Sequence, residues 1–520
     1  MLSLHYGLRA LRSWSSISFP SCLAAGMSFL RVLSVALGVV LAAAGTAFPP
    51  SSKAQNRPPD SDAPDEAPQN VVLMIADGAG PATFTMARDF KRYRQGKTGR
   101  LEGQDVRLAL DAMKLGTIQT FSEDSRVTDS AAGATAFSTG HKTNNGHVGV
   151  GPEGRLLATL LEAAEQRGMA TGLVATSRLT HATPASFAAH TLDRWRENLI
   201  AGQMLQSGAD LMLGGGRRHF LPQSREASER EDDRNLVAEA EKTGYTVVTD
   251  RTELDEAGAL PLLGLFADGH LPYAIDREGG DARAVPTLEA MTEKALRLLS
   301  RSEEGRKNGV FLMVEGSRID HAGHNNDAAA HLRETLAYDR AVAAARSFAE
   351  NDGETLLLST SDHGTGGLSL GRNVGGKGRY AWKPAEVAEV EASHGAMMQA
   401  IAEGRADPAT VLRRQAGIDS LAADEQKMLA EAVEVESDGR LEAALSEIIG
   451  RRAVVGWTTG GHTAVDVGLC GMGPGARRFV GHHDNTYIGE ALAELMGFDL
   501  GALTAEMREG DQQAASAESE

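Results

Sequence analysis

Seven short apolar runs, separated by segments with helical periodicity, constrain the fold more than any other feature of this sequence. The runs are VVLMIA at 71, TGLVATS at 171, ADLMLGGG at 209, GYTVVTD at 244, GVFLMVEG at 309, ETLLLSTSD at 354 and HTAVDVGL at 462. Runs of this length and composition are typical of buried strands. Between two of them, the segment from Leu156 to Gly168 repeats leucine and alanine at helical spacing. This alternation predicts an α/β fold, a three-layer sandwich with a large, mostly parallel central sheet.

Polar residues end three of these runs. Asp77 closes the first run, Glu315 closes the fifth, and Asp362 with His363 closes the sixth. In open α/β sheets, ligands bind beyond the carboxyl ends of the strands. We therefore expect these acids to meet at one edge of the sheet.

The first 54 residues have the pattern of a secretory signal peptide with an upstream extension. An apolar stretch from Val32 to Ala47 follows the basic segment MSFLR, and cleavage is expected near Ala47 or Ala54. A transmembrane anchor is the alternative, but the stretch is shorter than the roughly 20 residues that a span needs. The pattern predicts a periplasmic or secreted protein that keeps no stable membrane anchor after cleavage.

The rest of the chain divides by composition into three parts. Residues 55–70 are polar and rich in proline, which is typical of a flexible leader. Residues 71–500 read as one large domain, interrupted by an inserted region of polar helices at about 374–452. Residues 501–520 are predicted to be a disordered tail.

The net charge restricts the possible partners. The formal charge is -18 at pH 7, and the first 54 residues contribute only positive charges, so the remainder is more acidic still. Nucleic acids and anionic membrane surfaces are therefore unsuitable partners.

The stretch VTDSAAGATAFSTG, residues 127–140, places Ser130 beside Asp129 at the start of a predicted helix. Serine at such a position is usually a helix cap. The alternative is a nucleophile at the positive end of the helix dipole. The stretch by itself favours the cap.

Three further residues have the chemistry of metal ligands. Asp320 and His324 are four residues apart in RIDHAGH, so a helical turn would direct them to the same side. His462 follows two glycines in TTGGHTAVD. Taken singly, the first two could form a surface ion pair and His462 could be structural. Together with the strand-end acids, they exceed what a core tolerates without cations.

Six motifs in chain order resemble the alkaline phosphatases. They are DGAG at 77–80, TDSAAGATAFSTG at 128–140, HATPA at 181–185, VEGSRIDHAGH at 314–324, SDHG at 361–364 and GGHT at 460–463. The resemblance runs over roughly residues 70 to 373 and again from about 454 to 495. It implies an enzyme that hydrolyses small phosphate monoesters with two zinc ions and one magnesium ion. Members of that family are commonly dimeric, so the resemblance also suggests a homodimer.

The resemblance also implies a role for each site residue. One zinc would be held by Asp320, His324 and His462, a second by Asp77, Asp362 and His363, and the magnesium by Asp77, Glu315 and Thr183. These donor types suit those ions. Ser130 would attack phosphorus and form a covalent phosphoserine.

Four more residues are implied around the phosphate. Arg194 would clamp two phosphate oxygens, although Arg196 nearby is an alternative, and Asp129 would orient that arginine. His181 and His321 would surround the third ion without binding it directly, and they leave the identity of that ion open.

Other functions stay open at this stage. A phosphodiesterase or a sulfatase of the same superfamily is one alternative, although Ser130 lacks the C/S-x-P-x-R context of sulfatases. A phosphate-binding or metal-scavenging protein without turnover is another.

Overall fold

A computed structural model describes residues 67–97, 105–278, 284–374, 376–378, 380–404, 406–434 and 438–517. The signal peptide and extension predicted over 1–54 lie outside the described residues, as does most of the leader predicted over 55–70. No helix within the described ranges combines the length and the apolar character needed to cross a bilayer.

The strands follow the apolar runs and add several that the sequence did not indicate. In chain order they are β1 (Asn70–Ile75), β2 (Lys114–Gln119), β3 (Ala170–Arg178), β4 (Leu211–Gly215), β5 (Thr246–Val248), β6 (Leu262–Leu265), β7 (Val310–Glu315), β8 (Thr355–Thr360), β9 (Gly364–Thr365), β10 (Ser369–Leu370), β11 (Asn373–Val374), β12 (Lys377–Gly378), β13 (Val455–Gly456), β14 (His462–Thr463), β15 (Val467–Met472) and β16 (Gly481–Asp484).

Ten of these strands form one sheet in the order β16-β2-β15-β8-β1-β7-β3-β4-β6-β5. Strand β15 runs antiparallel to both of its neighbours, and the other pairs in this sheet are parallel. The predicted α/β class with a large, mostly parallel central sheet is confirmed.

Helices cover both faces of this sheet. In chain order they are α1 (Thr83–Arg94), α2 (Ser130–Thr139), α3 (Leu160–Gln166), α4 (Ala182–Ala188), α5 (Glu197–Gln206), α6 (Leu236–Lys242), α7 (Arg251–Glu256), α8 (Leu288–Arg301), α9 (Glu303–Asn308), α10 (Arg318–His324), α11 (Ala328–Asp352), α12 (Pro384–Ala388), α13 (His394–Ala402), α14 (Pro408–Gln415), α15 (Ala423–Glu434), α16 (Asp438–Ala453), α17 (Thr486–Met496) and α18 (Leu500–Ala517).

The side chains of β1 show how the layers are built. Successive residues of a strand point to opposite faces, so Val71 and Leu73 join a core with Phe137 of α2 and Leu492 of α17. Val72 belongs instead to the core that contains Tyr338 of α11 and side chains of α8. The central sheet is therefore buried on both faces, which explains why its inner strands are apolar throughout.

The strand register brings the carboxyl ends of four central strands to one level. Ile75 at the end of β1 pairs with Glu315 of β7 and with Thr360 of β8. On the far side of β7, Glu315 pairs with Ala175 of β3. Residues that directly follow these strands must consequently emerge close together, as the sequence predicted.

The region at about 374–452 contains helices α12 to α16. Val387, Met397, Leu412 and Leu445 from these helices share a core with Phe90 of α1. This region therefore packs on the outer side of α1 and α11, next to the segment that carries His324.

Two local predictions differ from the structure. The tail predicted to be disordered forms α18 as far as Ala517, where Leu503 is buried and Thr504 Oγ1 accepts a hydrogen bond from Ala158 N at 2.9 Å. Helix α3 begins at Leu160, later than the predicted Leu156, because Thr159 caps it through a reciprocal bond with Glu162.

Candidate metal centre and active site

Ser130 is the first residue of α2, and Asp129 occupies the capping position. Asp129 Oδ1 accepts a hydrogen bond from Ala132 N at 3.0 Å, so the serine hydroxyl is not needed as a cap. That hydroxyl is buried and lies 3.2 Å from His363 Nε2. The positive end of the helix dipole therefore lies directly beneath a free oxygen nucleophile.

Three carboxylates emerge from the central strands beside this serine. Asp77, Glu315 and Asp362 are fully buried, and among the described residues both Asp77 oxygens, Glu315 Oε1 and Asp362 Oδ2 have no hydrogen-bond partner. A buried carboxylate without a partner is costly unless a cation offsets its charge. The donor set therefore fits divalent metal ions.

The first candidate metal group consists of Asp77, Asp362 and His363, whose ligand atoms all lie within 4.8 Å of one another. His363 Nε2 is 3.2 Å from Asp362 Oδ2 and 3.6 Å from Asp77 Oδ1. Since the same nitrogen is 3.2 Å from the hydroxyl of Ser130, a cation in this group would lie beside that oxygen.

The second group consists of Asp320 and His324 on α10 and His462 on β14. His324 Nε2 lies 3.3 Å from Asp320 Oδ2 and 3.1 Å from His462 Nε2. The Nδ1 atoms of both rings face backbone carbonyl oxygens. His324 Nδ1 is 2.7 Å from the carbonyl oxygen of Gly460, and His462 Nδ1 is 2.9 Å from that of Thr128. Donation from Nδ1 to a carbonyl leaves the lone pair of Nε2 available to a metal.

The third group contains Asp77, His181 and Glu315, again with ligand atoms within 4.8 Å of one another. Thr183 is fully buried in α4, and its hydroxyl has no partner among the described residues. The sequence placed Thr183 among the ligands and His181 outside them. The structure brings a ring nitrogen of His181 within 4.8 Å of ligand oxygens of both carboxylates.

The pKa values separate the carboxylates into two kinds. Burial, reinforced by the charges of Asp362 and Asp320, raises the pKa of Asp77 well above its usual value. Burial likewise raises the pKa of Glu315 to about 7. The charge of a third carboxylate, Asp362, adds to the effect of burial on both pKa values.

The other two carboxylates have imidazole partners. Burial would raise the pKa of Asp320, but the hydrogen bond and charge of His324 lower it well below its usual value. Burial alone would lower the pKa of His324, but the hydrogen bond and charge of Asp320 raise it to about 9. The pKa of Asp362 is lowered by His363 in the same way, against the effect of burial.

The two candidate arginines lie in different surroundings, and Arg194 contacts residues of the site. Its Nη1 donates to Asp129 Oδ2 at 2.9 Å, and its Nη2 lies 3.1 Å from His181 Nε2. The side chain of Arg196 is exposed and belongs to the start of α5. Arg194 is therefore the arginine that faces the serine and the metal groups.

Two residues near the site were missed by sequence reasoning. The His270 ring lies 4.2 Å from that of His321 and 5.5 Å from that of His181, centroid to centroid. Thr365 Oγ1 donates to Asp320 Oδ1 at 2.5 Å and lies 3.2 Å from His363 Nδ1. His270 lies in a loop without a pattern, whereas Thr365, two residues after His363, could have been considered.

Sequence comparisons identify related proteins over most of the chain. The sequence model of the alkaline phosphatase family matches residues 68–498. The repressible alkaline phosphatase of Saccharomyces cerevisiae is 37% identical, over 90% of this chain and 87% of that protein. An alkaline phosphatase of Schizosaccharomyces pombe is 39% identical, over 85% of this chain and 84% of its own length.

Solved structures agree with these relatives. A cold-active alkaline phosphatase from Shewanella sp. superposes with a TM-score of 0.71 at 37% identity, covering 82% of this chain and 99% of the other. The alkaline phosphatase of Thermus thermophilus gives a TM-score of 0.72 at 32% identity, covering 87% and 96%.

Proposed function

Because the chain belongs to the alkaline phosphatase family and is a phosphoric monoester hydrolase, we propose that it acts through a covalent phosphoserine on Ser130. The observation that carries this proposal is the buried Ser130 hydroxyl, which lies 3.2 Å from His363 Nε2 at the start of α2. An isolated serine is a weak nucleophile, and activation by neighbouring positive charge is the chemistry it needs.

The proposed cations are two zinc ions and one magnesium ion. Nitrogen and carboxylate donors suit zinc, and oxygen donors suit magnesium. When bound, these ions supply charge stabilisation to the attacking oxygen, the phosphate and the leaving oxygen. The proposed sets are Asp320, His324 and His462 for one zinc, Asp77, Asp362 and His363 for the other, and Asp77, Glu315 and Thr183 for magnesium, with His181 beside the last.

In the proposed first step, Ser130 Oγ gives its proton to solvent water and forms a bond to phosphorus. The bond from phosphorus to the alcohol oxygen breaks, and the alcohol oxygen takes a proton from solvent. Water then attacks the phosphoserine, the bond to Ser130 Oγ breaks, one proton of that water returns to Ser130 Oγ through solvent, and hydrogen phosphate is released. Arg194, held by Asp129, binds two phosphate oxygens in both steps.

The experiment that tests this mechanism is Ser130→Ala. Turnover of p-nitrophenyl phosphate at pH 9 should fall by at least about 10³-fold, because the variant lacks the atom that bonds to phosphorus. Ser125→Ala, in the loop before α2, is the matched control and should keep its activity. Acid quenching of the wild type followed by mass spectrometry should find phosphate on Ser130. Retained turnover in Ser130→Ala, or phosphate on another residue, contradicts the mechanism.

We also propose that the protein is exported to the periplasm or secreted. The support is the basic segment followed by the apolar stretch from Val32 to Ala47. N-terminal sequencing of the protein recovered outside the cytoplasm should begin after Ala47 or Ala54. A mature chain that keeps the apolar stretch contradicts the proposal.

A further inference from the structure

A cavity of about 700 Å³ adjoins the second metal group. His324 lies at one end of the cavity. The opposite wall is formed by α16, through Ala443, Ser446 and Glu447, and Trp457 closes one side. The wall therefore comes from the region at about 374–452, whose role the sequence left open.

The side chains of the site run in a row from the serine to this cavity. Ser130 Oγ is 3.2 Å from His363, the His363 ring stacks on that of His462 at 3.6 Å, and His462 Nε2 is 3.1 Å from His324 Nε2. In an in-line displacement the leaving oxygen lies opposite the attacking oxygen. With Ser130 at one end of the row, the leaving alcohol must extend toward the other end, where the cavity begins.

We propose that this cavity binds the alcohol part of the substrate and favours a polyhydroxylated alcohol. The inference rests on the proposed attack by Ser130. It goes beyond the proposed function because it names the class of ester that the enzyme prefers and the region of the chain that selects it.

The lining of the cavity supports this class of alcohol. Arg372 Nη2 donates to both oxygens of Glu447, at 3.0 Å each, and Arg451 also binds this carboxylate, so its position is fixed by two arginines. Ser446 Oγ donates to the carbonyl of Asn326 at 3.1 Å, which fixes a hydroxyl in the same wall. Fixed polar groups of this kind match the donors and acceptors of a polyol.

An aromatic residue refines the class. Trp457 is partly exposed, and its ring is held by an edge-on contact with His331 at 5.6 Å. A partly exposed indole offers apolar surface to the carbon face of a ring with hydroxyl groups.

The test uses two ring esters of similar size. myo-Inositol 1-phosphate presents hydroxyl groups around its ring, and cyclohexyl phosphate presents none. The quantity measured is the ratio of their kcat/KM values, since a change in this ratio between variants does not depend on the intrinsic reactivity of either ester.

Ala443→Trp is the variant that fills the cavity. Ala443 is exposed on α16, so the larger side chain enters the cavity without displacing core residues. The ratio of inositol ester to cyclohexyl ester should fall at least tenfold, since the bound hydroxyl groups lose their partners. Arg440→Trp, one turn earlier on α16 and outside the lining, is the matched control and should keep the wild-type ratio. Ala443→Phe provides a smaller filling residue, and thermal unfolding establishes that each variant is folded.

Each remaining outcome has a defined meaning. An unchanged ratio in folded Ala443→Trp and Ala443→Phe overturns the cavity proposal while leaving the phosphoserine mechanism intact. An equal fall in Arg440→Trp also overturns it, because the effect would not be local to the cavity. A wild type that hydrolyses neither ester contradicts the proposed function itself, and the inference falls with it.

Discussion

The carboxylate floor of the site, formed by Asp77, Glu315 and Asp362, contrasts with its histidine rim, formed by His324 and His462. The floor is fully buried, and four of its oxygens have no partner among the described residues. The rim is partly exposed, and each imidazole is fixed by a backbone carbonyl at 2.7 or 2.9 Å.

The contrast shows that the charges of the two parts are balanced differently when no metal is bound. Within the floor, Asp77 and Glu315 concentrate negative charge that a bound cation would compensate, whereas Asp362 already has His363 as a partner. The rim is already satisfied by hydrogen bonds and by the carboxylate of Asp320, 3.3 Å from His324. The floor should therefore destabilise the metal-free protein, whereas the rim should stabilise it.

The largest effect is expected from Asp77→Asn. Activity on p-nitrophenyl phosphate should fall by at least about 10³-fold, because this carboxylate belongs to two of the candidate metal groups. In chelated protein at pH 9, the same variant should raise the free energy of unfolding by about 1–3 kcal/mol, measured in urea, since an uncompensated buried charge is removed.

The comparison variant for that experiment is His324→Gln. In chelated protein it should lower the free energy of unfolding, since Asp320 loses its partner. If both variants destabilise the metal-free protein, the distinction between floor and rim is wrong.

The next effect is expected at Arg194, whose guanidinium contacts Asp129 and His181. Arg194→Ala should lower kcat/KM by about 10²- to 10³-fold and weaken inhibition by inorganic phosphate, because a charged, two-pronged contact to phosphate is lost. Arg196→Ala, two residues away and exposed, should change both quantities by less than about twofold. Equal losses in the two variants would refute the assignment of the clamp to Arg194.

A smaller effect is expected in the pH dependence of stability. Burial raises the pKa of Glu315 from 4.5 to about 7, so between these pH values the folded metal-free chain holds a proton that the unfolded chain has lost. Its free energy of unfolding should therefore fall as pH rises, by up to about 1.4 kcal/mol per pH unit and about 3 kcal/mol in total.

The control for the pH experiment is Glu315→Gln, which should abolish this part of the slope in urea unfolding. Metal-loaded wild type should also lack it, since a ligating carboxylate is ionised throughout. If Glu315 instead makes the free energy of unfolding of the metal-free chain rise between pH 4.5 and 7, the predicted direction of the pH dependence is wrong.

The smallest effect is expected at Thr365, which contacts one residue of each of the first two metal groups. Its hydroxyl donates to Asp320 at 2.5 Å and lies 3.2 Å from His363 Nδ1. Thr365→Val should weaken zinc affinity by about tenfold, measured by competition with a chelator, because outer hydrogen bonds orient metal ligands. Thr365→Ser keeps the hydroxyl and should bind zinc as the wild type does; a matching loss in both variants would exclude the hydrogen bond as the cause.

The fold was predictable where strands are buried on both faces. All seven apolar runs contain a strand of the central sheet. Strands β2 and β16 were missed because only Ile118 of β2 is buried and β16 reads GHHD, so neither has an apolar pattern. Strand β6 has four residues directly after Pro261, too few to stand out.

The site was predictable in its residue types and only partly in its arrangement. Acids at strand ends meet because parallel strands share an edge, which a sequence reveals. The choice between Arg194 and Arg196, and the approach of His181 to Glu315, depend on how loops cross that edge. The paths of these loops are set by packing between segments that are distant in the chain, and this packing cannot be read from a single sequence.

Asp129 has a consequence for motion within the site. Its carboxylate holds the first turn of α2 through Ala132 N, the loop at Gly146 through a second backbone bond of 3.0 Å, and the guanidinium of Arg194. Any drift of the helix start must carry the arginine along. The distance between Ser130 and the guanidinium of Arg194 should therefore stay nearly constant during thermal motion, even when the surrounding loops move.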